Sequence, residues 1–61
     1  MSTSTELQKA AAALRAAVAR RDALVVQMHD EGASLRTIAA VCGLSHGGVA
    51  KIVNRERPTS P

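Results

Sequence analysis

Between Thr5 and Asp30 the chain runs without a single Gly or Pro, and Ala, Leu, Arg, Lys and Gln dominate the run. All are good helix formers. In a chain of 61 residues this commits a large share of the polypeptide to one helix. At about 26 residues that helix is ~39 Å long, against ~14 and ~17 Å for the two short helices the remainder can form. The chain therefore cannot cover its own long helix from end to end. Thr3, Ser4, Thr5 and Glu6 read as the helix start. Thr3 and Glu6 have capping-box spacing, with Ser4 and Thr5 as alternative caps. Residues 1–4 are expected to be disordered, and Gly32 supplies the stop, which bounds the long helix at residues 5–31.

On a helical wheel the run has one apolar stripe, Leu7, Ala10, Leu14, Ala17, Val18, Leu24, Val25 and Met28, with Arg21 splitting it. The patch at Leu24, Val25 and Met28 lies near the short helices and is expected to build the core with them. The first half is expected to project. Leu7, Ala11, Leu14, Val18, Arg21, Val25 and Met28 alternate steps of four and three, as a coiled-coil seam does. Leu7, Ala11, Leu14, Val18 and Arg21 are accordingly the candidate dimerisation residues. The rival reading is a helix that docks on another protein, such as part of the transcription or replication machinery. Arg21 calls for a carboxylate, and Asp22 and Glu56 are the candidates inside the chain. His29 suits the negative end of the helix dipole.

The second constraint is the stretch Leu35 to Val53, LRTIAAVCGLSHGGVAKIV. Leu35, Ile38, Ala39 and Cys42 share one helical face, the chain breaks at Gly43, and Val49, Ile52 and Val53 form a second face. Ser34 and Ser45 stand where caps belong. Gly43 can take positive φ without strain and so end the first short helix sharply. Two short helices are expected, Leu35 to Cys42 and His46 to about Arg55. Pro58 ends anything helical before it.

These residues resemble the helix-turn-helix DNA-binding family, in particular resolvase/invertase-type domains and small phage or plasmid regulators. Ala39 matches the small residue at the helix crossing, Gly43 the turn glycine and Leu44 the apolar residue after it. Val49 and Ile52 match the buried positions of the recognition helix. The resemblance covers Leu35 to about Arg55, with Leu24 to Met28 as support. It implies an all-α, trihelical fold without a wing, in which residues 34–56 are the DNA-binding unit and residues 57–61 a disordered tail. It further implies a second short helix in the major groove of double-stranded DNA.

With Val49, Ile52 and Val53 turned inward, Ser45, His46, Gly47, Gly48, Ala50, Lys51, Asn54 and Arg55 face out. His46 and Lys51 are the candidates for base contacts. Ser45 and Asn54 suit bases or phosphates, and Arg55, Arg36 and Thr37 suit phosphates, which set register without reading sequence. Gly47 and Gly48 each cost a helix about 1 kcal/mol relative to Ala. They either let the helix sit deep in the groove or leave its start frayed until DNA orders it. Both imply few direct base contacts for each copy, so a homodimer reading two half-sites is expected.

Charge and composition narrow the alternatives. Lys and Arg number 8 against 5 Asp and Glu, a net charge of +3. From Met1 to Ala33 acids and bases balance, whereas Arg36, Lys51, Arg55 and Arg57 face only Glu56 from Ser34 onward. That excess suits phosphate contact. The chain has no Phe, Tyr or Trp, so its core must be aliphatic, and a small aliphatic core gains from a partner. Cys42 is the only cysteine, which leaves no internal disulfide. Cys42 with His46 is too small a set for zinc, and no metal or cofactor is expected. No carboxylate pair, activated nucleophile or phosphate-cradling loop supports an enzyme. Neither a leader nor a membrane-spanning run is read at the start, and the expected location is the cytoplasm. The expected function is a small transcriptional regulator that binds double-stranded DNA as a homodimer.

Overall fold

The computed structural model describes residues 2–56. Among them the protein is all-helical, with α1 at Thr3–Asp30, α2 at Leu35–Cys42 and α3 at His46–Glu56, and without a strand. The tail expected at residues 57–61, with the Pro58 stop, lies outside the described residues, as does Met1. Among the described residues no helix is long and apolar enough to cross a membrane.

The start of α1 corrects the sequence reading. The helix begins at Thr3, not Thr5, because Ser2 sits in extended conformation and its Oγ accepts the Thr5 backbone N–H at 3.2 Å. Ser2 is therefore the cap in place of Thr3, Ser4 or Thr5, and residues 2–4 belong to the cap and first turn. This start still leaves Glu6 in the first turn, where a carboxylate meets the positive end of the helix dipole. At the other end Gly32 has φ +99°. Its N–H reaches the His29 carbonyl and the Ala33 N–H reaches the Met28 carbonyl, each at 3.0 Å. This pair of bonds satisfies carbonyls that the helix end leaves open, and Met28 and Ala33 close the turn by packing on the same core.

The two short helices follow from three local devices. The Ser34 Oγ accepts the Thr37 N–H at 3.1 Å and starts α2. Gly43, at φ +76°, ends it, with its N–H bonded to the Ala39 carbonyl at 2.9 Å. The Ser45 Oγ accepts the Gly48 N–H at 3.0 Å and starts α3. Only Gly43, Leu44 and Ser45 separate the two helices, so they must pack against each other at once.

Their contact, closed by the end of α1, is the core. Val25, Ile38, Val49, Ile52 and Val53 are buried, and Ile38 and Val49 are fully so. Met28, Leu35, Ala39, Cys42 and Leu44 pack around them, half-buried. Leu24, expected in this core, is 46% exposed. It lies one residue, about 100° of helix, from Val25, and α2 and α3 together cover only the Val25 side. The first half of α1 projects, as its length requires: Leu7 and Leu14 are 69% and 65% exposed. The longest dimension of the structure is 48 Å.

Truncation separates the two regions. Ile38→Ala is expected to cost about 2–5 kcal/mol, enough to unfold most of a domain this small. Leu7→Ala is expected to shift the stability of the monomer by less than about 0.5 kcal/mol. Denaturant unfolding followed by circular dichroism at low protein concentration measures both.

Candidate nucleic-acid interface

With Val49, Ile52 and Val53 buried, the 3.6-residue period turns Gly47, Ala50, Lys51 and Asn54 to the opposite side of α3. Gly47, Lys51 and Asn54 are exposed, as is His46 at the helix start, and Ala50 is half-buried. Gly47, Lys51 and Asn54 make one strip with a gap at Gly47, and His46 flanks it at the N-terminal edge of the helix. A Cβ built on Gly47 meets nothing within 4 Å, whereas one on Gly48 comes within 3.2 Å of the Ser45 Oγ. Gly48 thus leaves room for the cap beside it. Gly47 has no such reason inside the chain.

Two candidate contact hydroxyls already have work within the fold. Ser45 caps α3, and the Thr37 hydroxyl lies 3.0 Å from the Ser34 Oγ in the α2 cap. Both residues are exposed, so they border the surface while their hydroxyls hold helix ends. Arg36 is exposed beside Thr37 at the start of α2.

Arg55 is held on the α1 side. Its Nη2 lies 2.5 Å from the Asp22 Oδ2, and its Nε donates to the Glu56 Oε2 at 3.2 Å. Hydrogen bonds to Glu56 first and Asp22 second raise its pKa further above the ordinary arginine value. The positive excess counted from Ser34 onward is consequently smaller in space than along the chain, because Asp22 from the first half is brought onto Arg55. Lys51 and Arg36 remain as exposed cations on α3 and α2, and Arg57 lies outside the described residues.

Asp22 is the residue that sequence reasoning underrated. It was a candidate partner for Arg21, and it is: Arg21 Nη2 and Nε donate to Oδ1 at 2.9 and 3.1 Å. Asp22 is itself buried, at 5% exposure, and also receives Arg55 from a helix 33 residues away. The available signal was its spacing, four after Val18 and three before Val25, which puts it on the inward face. Burial alone would raise the Asp22 carboxyl. Hydrogen bonds and positive charge from Arg21 and Arg55 outweigh that and hold its pKa below the usual carboxylate value.

Of the candidate dimerisation residues, Leu7 and Leu14 are exposed, whereas Ala11, Val18 and Arg21 are half-buried by their own chain. Among the described residues no group of three or more His, Cys, Asp or Glu is placed to hold a metal ion. Comparison with known proteins finds no match to a family model, to a curated protein or to a solved structure.

The lowered Asp22 pKa fixes a sign. A carboxyl more acidic when folded than when unfolded adds stability above its unfolded pKa of about 3.9, and this is lost as pH falls through the folded value. The thermal midpoint should therefore lose an Asp22-dependent contribution below about pH 4. Asp22→Asn is expected to be less stable at neutral pH and to show a shallower acid limb. Melting curves across pH measure both slopes.

Proposed function

We propose that the protein binds double-stranded DNA through α3, with α2 and α3 acting as a helix-turn-helix pair, and that it regulates transcription as a homodimer. The observation that carries this reading is the exposed strip of Gly47, Lys51 and Asn54, flanked at the helix start by the exposed His46, on a helix whose opposite face is buried. Support comes from the short Gly43–Ser45 connection, with Gly43 at φ +76°, which matches the turn such pairs need. Gly47 deepens the argument. Its missing side chain has no packing reason, and a side-chain-free position on the outward face lets a helix lie closer to base edges.

The roles divide by reach and charge. Lys51 donates to guanine acceptors in the major groove, and His46 donates or accepts at base edges. Asn54, further along the strip, reads bases or phosphates. Arg36, Thr37, the cap residue Ser45 and the exposed Gly47, with the half-buried Gly48 beside them, border the phosphate backbone. Arg55 contributes to phosphate binding only by leaving or sharing Asp22. No catalytic role, metal or cofactor enters this proposal. The competing reading is a helical adaptor that holds another protein through α1, and the exposed Leu7 and Leu14 favour it.

Salt separates the two readings, because phosphate contacts make affinity fall steeply with ionic strength. Anisotropy of a labelled duplex across a salt series is expected to give a log–log slope of several units. Lys51→Glu is expected to weaken binding by at least about tenfold, the scale of a lost base contact. An absence of binding at low salt would leave the adaptor.

Gly47→Ala gives a sharper test. It is expected to stabilise the free protein by about 0.5–1 kcal/mol, since nothing obstructs the added methyl. The same change is expected to weaken DNA binding. A variant that is both more stable and an equal binder would remove the close-approach argument.

A further inference from the structure

Among the described residues four large hydrophobic side chains are left exposed, those on α1 along one face of the helix. They are Leu7, Leu14 and Leu24 on α1, and Val41 on α2. Along α1 the face runs Leu7, Ala10, Leu14, Ala17, Arg21, Leu24 and Met28, in unbroken steps of three and four, as a coiled-coil seam does. It differs in phase from the series through Ala11, Val18 and Val25, because Val25 is spent on the core and Val18 borders the Arg55 end of α3, with Leu14 at the edge shared by the two series. At its C-terminal end the face opens into a groove of about 340 Å³ between α1 and α2, where Leu24, Val41 and Cys42 are part of an apolar lining that Arg20 and Arg21 also border.

We infer that this groove is filled by the first half of α1 from a second copy of the chain, packed antiparallel. The inference rests on the homodimer reading above and supplies its geometry. Charge decides the direction. In a parallel pair the two Arg21 guanidinium groups, each bonded to its own Asp22, face each other across the seam, and like charges at such positions repel. In an antiparallel pair with Leu7 level with the partner's Leu24, Arg21 faces the small Ala10. Glu6 then lies about one turn, ~6 Å along the axis, from the partner's Arg21. Size agrees with charge, since Leu14 falls level with Ala17 on both sides of the two-fold axis. Lys9 and Arg15 lie off the seam and do not oppose this pairing.

The arrangement is self-complementary, as a two-fold interface requires. Each arm covers the other copy's groove, and one contact accounts for both the exposed leucines of the arm and the open groove of the body. It also spaces the two bodies. The axis falls between Arg15 and Ala16, and Val25 to Met28, where α1 joins the core, then lie about 14–19 Å from it. The bodies stand about 28–38 Å apart by the same rise. Successive turns of the major groove on one side of a duplex are about 34–36 Å apart.

Sedimentation velocity and dipolar spin-label distances on the full chain test the inference. In a Cys42→Ala background, nitroxides attached through Ser4→Cys are expected about 35 Å apart in an antiparallel dimer and within about 15 Å in a parallel one. Labels attached through Ala16→Cys are expected within about 15–20 Å, because this position lies beside the axis. Leu24→Glu is expected to abolish the dimer while leaving helix content unchanged. A dimer with short distances at both positions would overturn the antiparallel geometry but leave the homodimer standing. A monomer at every concentration would overturn the second copy as occupant, and the homodimer with it. An antiparallel dimer that shows no salt-dependent binding to duplex DNA would overturn the DNA reading alone.

Discussion

Ile38 on α2 and Val49 on α3 are fully buried, and they belong to helices separated by only three residues. Neither helix is long enough to persist in water by itself, since isolated helices of this length are marginal. Their stability comes from burying those two side chains against each other. The Gly43 turn is what allows it, because a left-handed residue reverses the chain at once. Val25 and Met28 then close the open side. With no aromatic residue in the chain, this small aliphatic cluster is what holds all three helices together.

The Asp22 site performs a second task that apolar packing cannot. Hydrophobic contact is non-directional, and helices in contact through Val and Ile can slide. Asp22 takes Arg21 on one oxygen and Arg55 on the other, which pins the last turn of α3 to a fixed level of α1. Burying a carboxylate is costly unless its hydrogen bonds are complete. Among the described residues no buried side-chain polar atom lacks a partner. The Asp22 contact thus adds a directional constraint, between the end of α3 and the middle of α1, to the packing of the core.

Local signals made much of this legible. Ser34, Gly43 and Ser45 act on neighbours within a few residues, and the bounds of α2 and α3 read from them agree with the structure to within a residue. Four consecutive capping residues at Ser2 to Thr5 give no local reason to prefer one, and the start expected at Thr5 falls two residues late. Leu24 and Val25 are adjacent and equally apolar, so only the width of the α2–α3 pair decides which is buried. The exposure of Gly47, Lys51 and Asn54 follows from helical period alone, whereas His46, in phase with Val49 and Val53, is exposed because it starts the helix. That Ser45 and Thr37 spend their hydroxyls on caps and Arg55 its guanidinium on Asp22 depends on atoms the period does not carry. The Asp22 contact, closing across most of the chain, is the least readable of all.

The unbroken α1 has a mechanical consequence. From Thr3 to Asp30 nothing in it can act as a hinge, since neither Gly nor Pro interrupts the backbone hydrogen bonds. Arm and body move as one lever. Whatever grips the arm fixes the heading of α3 as well, through Val25, Met28 and Asp22. A partner held on the arm and a partner held on α3 would therefore stand at one fixed angle to each other.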